Sequence, residues 1–210
     1  MEKPKINYET LIRITKAIPR LRDPKEIVMN TVEAVTNALG VKGCALFLYS
    51  PMSHELKLAG SYGLSQEYLD KGPVSSLLSI ASSLEQGKPE AVYDVTDDPR
   101  IQYPEAAKKE GIASILSVPI LIGEKTIGCM RVYTSEPWEF IMDDMNFVQA
   151  VALIAGMALE MCRVNQGYRD SIEILKTMRD TRIFRPRVRT FYQNTPPGVF
   201  SGHSAPPSGM

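Results

Sequence analysis

The chain has 210 residues, 44% of them apolar and 23% charged, an ordinary globular composition in which a sizeable core can form. That length suits one domain with appendages better than two independent domains. Lys plus Arg and Asp plus Glu number 24 each, so net charge gives no bias toward nucleic acid or an anionic membrane.

Cys44, Cys129 and Cys162 are odd in number, widely spaced and form no CxxC, and neither His54 nor His203 lies near them in sequence. A zinc site or a secreted disulfide framework is therefore not expected, and each cysteine reads as a small core residue. The first seven residues are charged and carry no apolar stretch, so no signal peptide is read there. The longest apolar run, residues 150–159, falls short of the ~20 residues a membrane helix needs. A cytoplasmic protein is the expectation.

In chain order, residues 8–18 read as a short helix with Leu11, Ile14 and Ile18 on one face, stopped by Pro19. Asp23, Pro24 and Glu26 then carry helix-start chemistry: a cap, a first-turn proline and a capping-box acid. Val28, Val32, Val35 and Leu39 follow at helical spacing until Gly40. The period next changes. Residues 44–49 form an apolar run suited to a buried strand, and residues 56–62 alternate as its hairpin partner, with Leu56, Leu58 and Gly60 on one side.

Residues 73–85 are expected to be helical, residues 90–95 a short strand, residues 97–100 a turn, and residues 104–110 a short helix closed by Gly111. Residues 112–120 and 126–134 read as a second hairpin with Gly123 and Glu124 at its tip. From residue 142 the apolar spacing alternates four and three. Phe147, Val151, Ile154, Ala158, Met161, Tyr168, Ile172 and Leu175 follow it, with Asn165 the polar member. That spacing predicts a long helix with a coiled-coil seam; the alternative is that its first half packs only on the domain's own sheet. Residues 184–210, rich in Pro, Gly and Ser, read as a disordered tail.

The order of elements implies an α+β layer fold, with helices on one face of an antiparallel sheet and an irregular crossover on the other. Residues 1–22 form an N-terminal helix, 23–165 the domain, 166–183 a helical extension and 184–210 the tail.

The segment from Val92 through Asp94, Asp97, Pro99 and Arg100, then Glu110-Gly111-Ile112, Ser114, Val118-Pro119, Gly123 and Ile127-Gly128, resembles the second half of a GAF domain. The resemblance continues through Arg131, Tyr133, Phe140 and Asp144 and covers roughly residues 8–165. It implies a GAF-like antiparallel sheet with a long C-terminal helix and leaves the ligand open, because one fold hosts many functions. Cyclic-nucleotide GAF domains carry Asn-Lys and then Phe-x-x-x-Asp-Glu. Here Phe140 and Asp144 remain, but Met145 replaces the Glu, and Thr134-Ser135 stand where Asn-Lys would be. Bilin-binding relatives need a cysteine in the crossover, and between Met52 and Met130 only Cys129 occurs, on a predicted strand. The family's free methionine-sulfoxide reductase also uses crossover cysteines, which this chain lacks.

Strand alternation places Ile127, Cys129, Arg131 and Tyr133 on one face and Gly128, Met130 and Val132 on the other. Arg131 then points to the crossover side, where GAF domains hold ligands. The competing reading is an ordinary Arg in a sheet, or one paired with Asp94. The resemblance implies a ligand-binding set of Arg131 and Tyr133 with Asp94, Arg100, Tyr103 and Ser117, whose segments close that face in GAF domains, and the expected ligand is an anionic or carbonyl-bearing molecule. No catalytic residue, metal ligand or cofactor is assigned. Asp94, Asp97 and Asp98 read as a turn and cap set around Pro99 rather than a metal cluster. Lys176, Arg179, Arg182, Arg185, Arg187 and Arg189 read as a solvated helix end and flexible basic tail, with no nucleic-acid or membrane partner expected.

The expected function is a regulatory module that senses a small molecule or passes a signal to another protein, acting as a homodimer. The alternatives are a thiol-based reductase and a ligand-free dimerisation scaffold.

Overall fold

Helix α1 (Tyr8–Ala17) buries Ile14 and runs into one 3-10 turn, Ile18–Arg20, at the point where Pro19 removes a backbone donor. Helix α2 (Pro24–Leu39) begins with Pro24 in its first turn, and the Asp23 carboxylate accepts the Lys25 amide at 2.8 Å. Ile27, Val28, Val32, Val35 and Leu39 form its buried stripe, and Gly40 ends it in the left-handed conformation.

Strands β1 (Gly43–Ser50) and β2 (Glu55–Tyr62) form the first hairpin. The register slips between Leu46 and Phe47, because Gly60 pairs with Leu46 while Leu58 pairs with Phe47. Ala59 is thus an extra residue, a bulge that breaks the expected alternation. Leu56 packs on the crossover side, whereas Ala59 and Gly60 both turn toward the helices. The crossover then holds α3 (Gln66–Leu69), β3 (Val74–Ser75), α4 (Ala81–Gln86), β4 (Glu90–Val92) and α5 (Pro104–Glu110).

Residues 73–85 are therefore not one helix. Serine side chains hold the segment in other conformations: the Ser76 hydroxyl donates to the His54 carbonyl, and Ser75 Oγ accepts from the Leu77 amide. Strand β4 stops at Val92, after which Asp94 organises a turn by accepting from Thr96. The second hairpin is β5 (Ser114–Ile122) and β6 (Lys125–Thr134), with Gly123 at φ +60° in its tip. Six antiparallel strands run in the order β3-β2-β1-β6-β5-β4.

Helix α6 (Met142–Thr181) closes the domain. Asp144 secures its start, accepting from the Ile141 amide and from Trp138 Nε1. Two apolar clusters lie on opposite faces of the sheet. On one face α1, α2 and α6 cover Leu46, Leu116, Val118, Met130 and Val132. On the other the crossover covers Ala45, Phe47, Ile115, Cys129 and Tyr133. The parity expected for β6 holds at Cys129, Met130, Val132 and Tyr133, while Ile127 packs toward the helices instead.

The structure, a computed structural model, describes residues 8–181 except Pro51, so the tail read from 184–210 lies outside the described residues. Two compact units divide the chain, one ending at Tyr168 and the other beginning at Arg169. In the first, Phe147, Val151 and Ala158 are buried in the domain's own core, whereas Met157, Met161, Val164 and Tyr168 are exposed. In the second, Ile172, Ile174, Leu175 and Met178 are exposed. The early members of the predicted seam thus pack on the domain itself, which is the alternative reading of that spacing. By length and composition alone α6 could cross a membrane, although no single apolar run in the sequence reaches that length.

Candidate functional site

Arg131 occupies the middle of the crossover face. Its neighbours across the two adjoining strands are small, Ala45 on β1 and Ser117 on β5, so the long side chain can lie low over the sheet. The residue is only 4% exposed, and its guanidinium carbon sits 5.5 Å from the Phe47 ring centroid. Nη1 donates to Ser79 Oγ at 2.8 Å and Nη2 to the Ser79 carbonyl at 2.6 Å. Arg131 has no ion-pair partner among the described residues, and its Nε–H has no hydrogen-bond partner. Ser117 Oγ is likewise buried and unpartnered. A charged group sealed away from water without a counter-ion is costly, so this arrangement needs a reason.

Tyr133 and Ser117 share the face with Arg131. Tyr133 is buried and meets the Tyr68 ring edge-on, with centroids 5.8 Å apart. The other three expected residues are not brought to the guanidinium. Asp94 is exposed, and its carboxyl is held below the usual range by the Thr96 hydroxyl and amide. Arg131 therefore pairs with Ser79 rather than Asp94. Arg100 is committed to Asp98 at 2.6 Å, Glu90 at 2.8 Å and the Ala91 carbonyl. Those bonds draw the Asp98 carboxyl below its usual range. Tyr103 donates its hydroxyl to the Pro73 carbonyl at 2.8 Å and stands against Gly72, so it braces a wall.

That wall bounds a cleft of about 400 Å³, lined by Phe47, Leu56, Lys57, Leu69, Lys71 and Val74 among others. The volume is within the range of small-molecule sites, and Phe47 is the residue it shares with the surroundings of Arg131. Lys71 Nζ lies 3.6 Å from the Tyr68 ring centroid and donates to the Tyr68 carbonyl. Burial brings its ammonium down to about 8, and the charge of Arg131 adds to the effect. Burial also lifts the Tyr68 hydroxyl to about 12, against the pull of Arg131.

Ser79 and Lys71 were not marked by the sequence. Ser79 falls inside a stretch that reads as helix, and Lys71 follows a four-residue helix that no periodicity can reveal.

Both core cysteines are poor nucleophiles here. Burial pushes the Cys44 thiol up and does the same to Cys129, whose shift Arg131 and Ser117 oppose. Cys162, half-buried on α6, contacts the Arg22 carbonyl at 3.3 Å. Among the described residues no group of His, Cys, Asp or Glu is arranged to hold a metal ion.

Comparison with known proteins agrees with this architecture. One similar structure is the GAF domain of a phosphoenolpyruvate-protein phosphotransferase from Coxiella burnetii, 18% identical, with a TM-score of 0.68 over 76% of this chain and 96% of that one. A second, the corresponding domain from Acinetobacter, is 17% identical, with a TM-score of 0.63 over 78% of this chain and 97% of the other. The free methionine-R-sulfoxide reductase of Neisseria meningitidis, solved with its substrate, is 20% identical, with a TM-score of 0.65 over 75% and 90% of the two chains. A comparison of the sequence with curated proteins returned no match. At these identities the structures establish the fold alone. The model of the GAF domain, however, matches residues 22–160, well over half of the chain, and on that match the protein belongs to the GAF domain family.

Proposed function

We propose that this GAF domain is a sensory module whose crossover face receives an anionic small molecule at Arg131. GAF domains are in general regulatory, ligand-binding modules. The observation that carries the finer reading is a buried guanidinium with no carboxylate partner, beside a second unsatisfied polar atom, Ser117 Oγ. Planar oxyanions suit this group because guanidinium N–H pairs bind carboxylate and phosphate bidentately. The adjoining cleft has room for the body of a metabolite, which favours a sensor over a ligand-free scaffold. The sealed cysteines weigh against the thiol reductase.

Exposed apolar residues of α6, among them Met161, Tyr168, Ile172 and Leu175 of the four-three series, suit pairing with a second copy of the chain, and we read the module as a homodimer. Native mass spectrometry of protein purified without denaturation tests the ligand assignment. An anionic adduct is expected on the wild type and absent from Arg131→Met; an adduct kept undiminished by that variant refutes it.

A further inference from the structure

The two unsatisfied atoms of the site, Arg131 Nε and Ser117 Oγ, have no exposed surface. What covers them is the turn that leads into α4. Ser79 in that turn occupies both terminal nitrogens of Arg131, through its hydroxyl and its carbonyl. Ser83, on the first turn of α4, donates to the carbonyl of Ser117 at 3.2 Å. The polar bonds from the cover to the floor thus use neutral oxygen acceptors and one hydroxyl donor, beside the apolar packing of Ile80, and none of these neutralises the guanidinium.

The turn is also strained. Ile80 stands at φ +49° and ψ +48°, in the left-handed region where a β-branched residue is a clear outlier. Its amide is anchored by the Arg100 carbonyl at 3.1 Å, and its side chain is fully buried. Such a conformation persists only where surrounding contacts impose it, and it gathers at switch and clamp segments. Beside it, Leu77 and Leu78 are 60% and 64% exposed, so the outer side of the same turn faces solvent. The segment therefore joins an exposed outer pair to a buried inner side that is strained at Ile80 and bonded to a buried cation through neutral oxygens.

We propose that residues 77–83 form a lid over Arg131: Ser79 stands in for the ligand's oxygens while the lid is closed, and an oxyanion reaching Arg131 and Ser117 displaces it. This rests on the reading of Arg131 as the anion site. A charged oxyanion outcompetes Ser79 because it supplies the missing counter-charge as well as the two acceptors. It can also use the Nε–H and the Ser117 hydroxyl, which in the closed form have no hydrogen-bond partner by geometry and only the Cys129 thiol beside them. Release of Ser79 frees Ile80 from its left-handed conformation, so occupancy of the site is converted into movement of an exposed surface segment. Only a ligand that binds the open form better than the closed one can drive that change, and the closed form's unpaired charge supplies the difference.

Hydrogen exchange read by mass spectrometry, with inorganic phosphate as probe, tests the lid. Phosphate should speed amide exchange severalfold across residues 77–83 and leave β5 and β6 unchanged. Ser79→Ala, which removes one of the two stand-in acceptors, should bind phosphate severalfold more tightly by calorimetry. Ser79→Asp places a carboxylate on the lid itself. It should raise the melting temperature, slow exchange over the same residues and abolish the phosphate response. Phosphate that binds the wild type calorimetrically without altering exchange at 77–83 overturns the lid and leaves the anion site standing. A lower melting temperature for Ser79→Asp overturns the lid as well. Phosphate binding equal in wild type and Arg131→Met, or absent from both, removes the anion site and the lid together.

Discussion

Replacing Arg131 with methionine separates a ligand-binding guanidinium from a structural one. Methionine keeps an unbranched apolar side chain but removes the charge, its contact with the Phe47 ring and the two bonds to Ser79. Each lost bond to a charged donor is worth about 1.5–3 kcal/mol. Against that stands the relief of burying a cation with no counter-ion, a penalty of several kcal/mol after relaxation. The two effects oppose one another and are similar in size, so ligand-free Arg131→Met should lie within about 2 kcal/mol of the wild type. Breaking a structural buried ion pair costs about 3–5 kcal/mol by comparison. Urea unfolding followed through Trp138 measures the difference. It is the only tryptophan, stacked on Phe140 with centroids 6.1 Å apart, with its Nε1–H donating to Asp144. A loss above about 3 kcal/mol would show that Arg131 braces the fold, and the argument from an uncompensated charge would fail.

Three further perturbations probe other parts of the account. Gly128→Ala puts a Cβ 2.1 Å from the Phe47 carbonyl oxygen on the neighbouring strand, and backbone cannot yield there; a loss of about 3 kcal/mol or more is expected in urea unfolding, and a smaller one would show that β1 and β6 can separate. For Lys71 the folded protein gives up its proton near 8 while the unfolded chain keeps it to the ordinary lysine range, so stability should rise with pH through that window. Phosphate affinity should fall over the same window, and Lys71→Met should flatten both profiles; unchanged profiles would detach Lys71 from the site. Sizing with light scattering at micromolar concentration should return a dimer, and Tyr168→Asp on the exposed side of α6 should shift it to monomer, whereas a monomeric wild type would refute the pairing.

Much of the fold was legible because its elements carry strong local signals. Asp23, Pro24 and Gly40 bracket α2, and Gly123 marks the tip of the β5–β6 hairpin. Alternation on β6 placed Arg131 and Tyr133 on one face because a strand repeats every two residues. The same logic failed on β2, where the bulge at Ala59 inserts a residue that only the partner strand reveals. It failed again over residues 73–85, where helix-compatible composition is overridden by serines that bond to distant backbone, as Ser76 does to His54. The GAF resemblance points to Asp94 and Arg100 at the site, yet each is satisfied locally, by Thr96 and by Asp98 with Glu90. Ser79 could not be read at all, since its role comes from a contact with a residue 52 positions away.

The central claim is that an oxyanion completes the unsatisfied guanidinium of Arg131. The most direct measurement is the ¹⁵N-edited spectrum of the arginine Nε–H groups during a titration with inorganic phosphate. The Arg131 resonance is identified by its loss in Arg131→Lys, and its burial protects it from rapid exchange with water. The account predicts that this one resonance moves saturably as phosphate is added, while those of exposed arginines such as Arg163 do not. An Arg131 Nε–H that stays in place while phosphate shifts signals elsewhere in the protein would contradict it.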